Sequence, residues 1–254
     1  MSLPSRYLKL PFSFDLPRLQ DELLRLEKSE WIRHFNTSAY VNDWLCLPLR
    51  SVGGRIDHII PVNEGVFEDT VLLQACPYLA EVIQFFQCEK TSVRLMSLAA
   101  GGEIKEHRDD GTSIEDGITR LHIPITTTPE VLFYIDGEPV HFSAGDTWYL
   151  NASCLHGVRN PGNQARVHLM LDCVTNDWLM HAFKEAGWVA RAKPKYHDPA
   201  INDHNVIDVI AQLRSDGRPV AMALAAQMDA IRLGIPSPAT AMQHGDLLQA
   251  DAQC

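Results

Sequence analysis

The sequence predicts a mainly β protein, a barrel or jelly roll with helices before and after it. Three observations carry that prediction. From about Thr91 the chain becomes a series of short segments rich in Val, Ile, Leu, Phe and Tyr, parted by Gly, Asp, Asn and Pro; residues 14–27 carry leucines at helical spacing; and beyond Val174 the period turns helical again. With 254 residues, 46% of them hydrophobic, the chain can bury one sizeable core and a small second lobe. We divide it into residues 1–174, a β domain with N-terminal helices, and residues 175–254, a helical C-terminal extension.

The elements follow in order. In FDLPRLQDELLRLE, Leu16, Leu19, Leu23 and Leu26 form one apolar stripe. HFNTSAYVNDWLCLPLRSVGG is extended and aromatic, and its run Trp44 to Leu49 suits a buried strand. Residues 69–86 read as a helix with a break or restart near Pro77. Strands are expected near 92–99, 103–108, 118–127, 131–135, 138–142, 146–151, 155–159 and 165–174. Asp136-Gly137 between VLFYI and EPVHF is a hairpin signal, and Asn160-Pro161-Gly162-Asn163 is a second turn. DWLMHAFKEAGW, HNVIDVIAQLRS and RPVAMALAAQMDAIRL supply helices over 175–235, expected to pack on the barrel; SPATAMQHGDLLQADAQC has weak periodicity.

The net charge of -10 argues against nucleic-acid binding, which needs clustered Lys and Arg, and against an anionic membrane surface. No stretch is apolar enough to span a bilayer, and the N-terminus lacks an apolar signal core, so a cytoplasmic location is expected. The scattered cysteines Cys46, Cys76, Cys88, Cys154, Cys173 and Cys254 then read as free thiols.

The chemistry centres on His107-Arg108-Asp109 followed by His156. Two imidazoles and a carboxylate cover one face of an Fe(II) ion and leave the other face open. Residues two apart on a strand share a side, so His107 and Asp109 can both face inward from one strand or its end, while His156 returns on a later strand. A second copy of the pattern, His244-Gly245-Asp246, has no histidine after it and reads as chance. Arg166 lies in ARVHLMLDC among apolar neighbours. A buried Arg needs a negative partner, either an internal carboxylate or the far carboxylate of a chelating cosubstrate. Arg120-Leu121-His122 echoes Arg166-Val167-His168. Arg120 is a candidate to hold a substrate carboxylate, while His122 and His168 are candidates for cosubstrate contact or for support around the site. Arg94 is a further substrate-side candidate, with structural pairing as the alternative. Trp148 and Tyr149 read as core; Asp110, Glu115 and Asp116 form an acidic loop; Asn36 and Trp44 are candidates to close over substrate.

The stretches HFNTSAYVNDWLCLPLRSVGG, LAAGGEIKEHRDD, EDGITRLHIPI, VLFYIDGEPVHFSAGDTWYLNASCLHGVRN and ARVHLMLDCVTNDWL make residues 32–178 resemble the aspartyl/asparaginyl β-hydroxylase-like 2-oxoglutarate oxygenases, which include bacterial proline hydroxylases. The resemblance implies a double-stranded β-helix core, Fe(II) and 2-oxoglutarate as cofactors, and O₂-dependent hydroxylation of a C–H bond. It carries iron ligation onto His107 and His156, the distal-carboxylate role onto Arg166, cosubstrate contact onto His122 and a substrate-carboxylate role onto Arg120. Animal aspartyl hydroxylases, by contrast, have Gly where this chain has Asp109. The expected substrate is an amino acid-like small molecule or a peptide. Two other readings stand beside this one: a cupin-like metal enzyme that draws His122 or His168 into the ligand set, and a barrel that binds without catalysis.

Overall fold

The computed structural model describes residues 4–60, 62, 64–190, 195, 196, 198 and 200–235. Strand β1 (Tyr7–Ser13) leads into helix α1 (Leu16–Arg25), capped by Asp15, whose carboxylate accepts from the Arg18 N–H. Leu19 and Leu26 from the expected stripe are buried. Short strands β2 (Ile32–Arg33) and β3 (Tyr40–Val41) precede β4 (Trp44–Val52) and β5 (Phe67–Asp69). The expected helix over 69–86 divides at its proline. A 3-10 turn spans Val71–Ala75, and α2 (Pro77–Phe85) starts with Pro77 in its first turn, where the missing N–H leaves no intrahelical bond unmade. The buried carboxylate of Glu22 on α1 accepts from the N–H groups of Tyr78 and Leu79, at 2.7 and 2.6 Å, and so caps α2 from outside.

Each expected strand of the middle region forms: β6 (Lys90–Leu98), β7 (Glu103–His107), β8 (Ile118–Thr126), β9 (Leu132–Ile135), β10 (Glu138–Val140), β11 (Asp146–Leu150), β12 (His156–Arg159) and β13 (Arg166–Val174). An eight-stranded antiparallel sheet has the order β1-β11-β8-β13-β6-β4-β2, with β5 beside β4; a five-stranded sheet has the order β10-β9-β12-β7-β3. From β6 to β13 the chain passes back and forth between the two sheets, which is the winding of a double-stranded β-helix, the jelly-roll core expected. The β9–β10 hairpin turns on Asp136 and Gly137, both at positive φ (47° and 80°), the conformation for which Asp-Gly is suited.

Alternation sorts the long strands of the larger sheet. Val93, Leu95, Leu121, Ile123, Leu169 and Leu171 pack outward against the helices. Residues of the other parity, such as Met96, Leu98 and Met170, join Phe133, Ile135 and Val158 of the smaller sheet in an inner cluster. The outer cluster also holds Leu179 and Phe183 of α3 (Asp177–Glu185).

Two compact units divide at Met1–Arg191 and Ala192–Cys254, so α3 belongs with the β unit, whereas the sequence suggested a boundary after Val174. In the second unit α4 (Val206–Asp216) and α5 (Pro219–Leu233) share a small core of Tyr196, Val206, Ile210, Ala225 and Met228. The second His-x-Asp copy, the tail beyond 235 and Cys254 lie outside the described residues. Among the described residues no disulfide forms, and no described helix is long and apolar enough to cross a membrane.

Candidate metal centre and its cavity

His107 ends β7 and His156 begins β12, and antiparallel pairing sets the two directly opposite each other, with ring centroids 4.3 Å apart. The register slips between His156 and Val158. Gly157 lies at that slip, where a Cβ would stand 2.9 Å from the Ile104 carbonyl oxygen; only glycine lets β12 approach β7 this closely. Asp109 lies two residues past the end of β7, in a turn fixed by its own N–H donating to the Ala152 carbonyl at 2.9 Å. Its Oδ1 is 3.8 Å from His107 Nε2.

Both histidines are anchored through the same ring nitrogen. Nδ1 of His107 lies 2.8 Å from the Lys105 carbonyl oxygen, and Nδ1 of His156 lies 2.9 Å from that of Cys154. A carbonyl only accepts, so each Nδ1 carries a proton, and Nε2 is the ring nitrogen left to face the site. Burial, with His107 close by, pushes His156 down to about 4, so that ring is neutral at pH 7. Burial acts to raise Asp109, but Arg120, His107 and His156 together hold its carboxyl below the ordinary range. One donor atom from each of His107, Asp109 and His156 lies within 4.8 Å of the others. Two imidazoles and an ionised carboxylate, gathered on one side, fit Fe(II) with coordination positions to spare.

These residues line a cavity of about 420 Å³ whose far wall is the larger sheet. On β13, Arg166, His168, Met170 and Asp172 share the inner parity, and β8 contributes Arg120 and His122. Arg166 is 3% exposed, its Nε has no acceptor, and its guanidinium lies 5.1 Å over the Phe133 ring. Burial alone pushes it down to about 9, since no carboxylate of the protein offsets the desolvation. His122 and His168 are buried with all four ring nitrogens lacking hydrogen-bond partners, and burial followed by the Arg166 charge keeps both well below the ordinary histidine range. Among the described residues, the group able to hold a metal is His107, Asp109 and His156; His122 and His168 stand outside it, although the cupin-like reading needs one of them inside.

Arg120 and Arg94 also line the cavity, and each has protein partners. Arg120 faces Asp172 across the β8–β13 ladder. Its Nε and Nη2 donate to Oδ1 and Oδ2 of Asp172 at 2.6 and 3.1 Å, and its Nη1 donates to Asp109 Oδ2. Arg94 donates to Asp172 Oδ2 at 2.8 Å and to the Ile59 carbonyl at 3.2 Å. Asp172 is thus a functional candidate that the sequence reading passed over. A carboxylate inside the apolar run LMLDC was the available signal, by the same reasoning that singled out Arg166. His34 was also passed over. It stacks on Trp44 with centroids 3.7 Å apart, and both line the cavity together with Asn36. Trp148 stacks on Phe142 in the inner cluster, and Tyr149 is fully buried, its hydroxyl accepting from the Ile114 N–H. Asp110 reaches the cavity, while the Asp116 carboxylate accepts from the Ser113 hydroxyl.

Comparison with known proteins gives one family match and a set of distant structures. The family described as aspartyl/asparaginyl beta-hydroxylase matches residues 13–176. An oxidoreductase of the 2OG-Fe(II) oxygenase family from Burkholderia pseudomallei is 14% identical, covering 68% of this chain and 86% of that one, with a TM-score of 0.46. A Pseudomonas putida prolyl-4-hydroxylase is 14% identical over 67% of this chain and 93% of its own, with a TM-score of 0.43. A cupin domain from Bordetella pertussis is 22% identical over 34% of this chain and 82% of its own, with a TM-score of 0.27.

Proposed function

We propose that this chain, which belongs to the aspartyl/asparaginyl β-hydroxylase family, is a dioxygenase that hydroxylates a C–H bond of an amino acid-like or peptide substrate, using Fe(II) and 2-oxoglutarate. One observation carries the reading: a His-Asp-His donor set gathered within 4.8 Å shares a cavity with a buried, unpaired arginine. Bound Fe(II) and 2-oxoglutarate would supply the oxidising power, drawn from O₂ as the cosubstrate is decarboxylated to succinate.

The protein's part is ligation, orientation and exclusion of water. His107 and His156 present Nε2 because their Nδ1 protons are committed to backbone carbonyls, and Asp109 presents Oδ1. Arg166 holds the far carboxylate of 2-oxoglutarate, gaining the counter-charge its burial demands. His122, neutral and without partners, lines the cavity for cosubstrate contact, while His168 is fully buried and supports the site from outside that lining. A substrate carboxylate meets the spare N–H groups of Arg120 and Arg94, whose positions Asp172 fixes. A cytoplasmic location goes with this reading, because that compartment keeps thiols such as Cys46 and Cys173 reduced.

Purified chain supplied with Fe(II), 2-oxoglutarate and O₂ is expected to form succinate slowly, and faster with the right amino acid or peptide. Absence of succinate under every condition contradicts the proposal. Asp109→Ala should weaken iron binding, whereas Asp246→Ala should not; equal effects would overturn the choice between the two His-x-Asp copies.

A further inference from the structure

Asp109 sits on the turn after β7, and its two oxygens have different neighbours. Oδ1 faces His107 Nε2, while Oδ2 accepts from Arg120 Nη1. Arg120 has little freedom to release it. The remainder of its fork closes on both oxygens of Asp172, which fixes the guanidinium plane as well as its position. Asp172 is tied in turn to Arg94, and Arg94 to the Ile59 carbonyl. Arg94, Asp172 and Arg120 are 3%, 2% and 7% exposed, so water does not compete for these bonds. A line of charge-assisted hydrogen bonds therefore runs from the chain near Ile59 along the cavity wall to one oxygen of the candidate metal carboxylate.

A carboxylate with both oxygens free can take a metal through both and fill one position more than a single oxygen does. A site that must also accept a chelating cosubstrate and O₂ cannot spare that position. We infer that Arg120 and Asp172 are positioning residues: together they reserve Asp109 Oδ2 and leave Oδ1 as the single oxygen offered to the metal. The inference rests on the metal reading of the His107, Asp109, His156 group. It adds a role that the group itself does not require and gives Asp172 a reason to be charged inside a core strand.

The test loads the full chain with Co(II), whose d–d spectrum reports ligand number, and then titrates 2-oxoglutarate anaerobically. In Arg120→Met, Asp172 keeps Arg94 as a partner, so this variant is the one expected to fold readily. Its Co(II) spectrum should differ from wild type before any cosubstrate is added, and its 2-oxoglutarate Kd should rise about tenfold, the size of effect usual for groups that orient a metal ligand. Asp172→Asn should reproduce both changes; if that chain does not fold, Arg120→Met alone decides. Spectra and affinities superimposable on wild type, in an experiment where Asp109→Ala has lost Co(II), overturn the positioning role alone. Wild-type Co(II) affinity in Asp109→Ala removes the metal reading itself, and this inference with it.

Discussion

The two ends of β13 treat a buried guanidinium in opposite ways. At the Asp172 end, Arg120 is met by two carboxylates, which hold it in the charged form against the cost of burial. At the other end, Arg166 is equally enclosed and has no carboxylate, so burial pushes it down. One end of the strand is electrostatically complete without a ligand and can serve as a fixed frame. The other has no counter-charge among the described residues, as the anion site proposed there requires.

That contrast can be broken by substitution. Asp172→Ala leaves Arg94 and Arg120 without their shared counter-charge and should cost about 3–5 kcal/mol of stability in urea unfolding, as expected for a buried pair that loses one partner. A loss under about 1 kcal/mol would mean that water reaches the cluster and that the frame is loose. Arg166→Met should have the opposite effect on the free protein, leaving its melting temperature equal or higher because an uncompensated charge is removed. The same variant should lose about 3 kcal/mol of 2-oxoglutarate affinity. A lower melting temperature with unchanged cosubstrate binding would make Arg166 structural.

The pH response sharpens the comparison further. His122 and His168 are buried as neutral rings, with folded-state proton affinity well below that of the unfolded chain. Below about pH 6.5 the unfolded chain takes up protons that the folded protein refuses, so stability is full above that pH and falls beneath it. Each such ring contributes about 1.4 kcal/mol per pH unit. His168→Gln should flatten the slope between pH 6.5 and 5; an unchanged slope would show that the ring is protonated in place. Far from the cavity, Glu22→Gln weakens the cap on α2 and should cost about 1 kcal/mol with no effect on ligand binding.

Much of the β core was legible because period-two alternation is a local property: Leu121, Ile123 and Ile125 turn one way along β8, and Arg120 and His122 turn the other. β1 went unread although Leu8, Leu10 and Phe12 alternate in the same manner, since proline at position 11 and the short polar flanks mask the pattern. The candidate metal trio was legible as residue types in order, but its geometry depends on the β7–β12 register and on the slip at Gly157, which no spacing encodes. The Arg-x-His echo shows how local pattern stops short of arrangement. β8 and β13 run antiparallel, so two similar tripeptides carry their arginines to opposite ends: Arg120 lies opposite Asp172, while Arg166 lies opposite Leu98 of β6. A carboxylate partner for one arginine and none for the other follows from register, which long-range pairing decides.

The central claim is that His107, Asp109 and His156 hold one Fe(II). Anaerobic equilibrium dialysis of the full chain against Fe(II), followed by metal analysis, tests it most directly. Wild type should retain iron equimolar with protein, and His107→Ala and His156→Ala should each retain little. Wild type without iron, or either histidine variant with a full complement, would contradict the account.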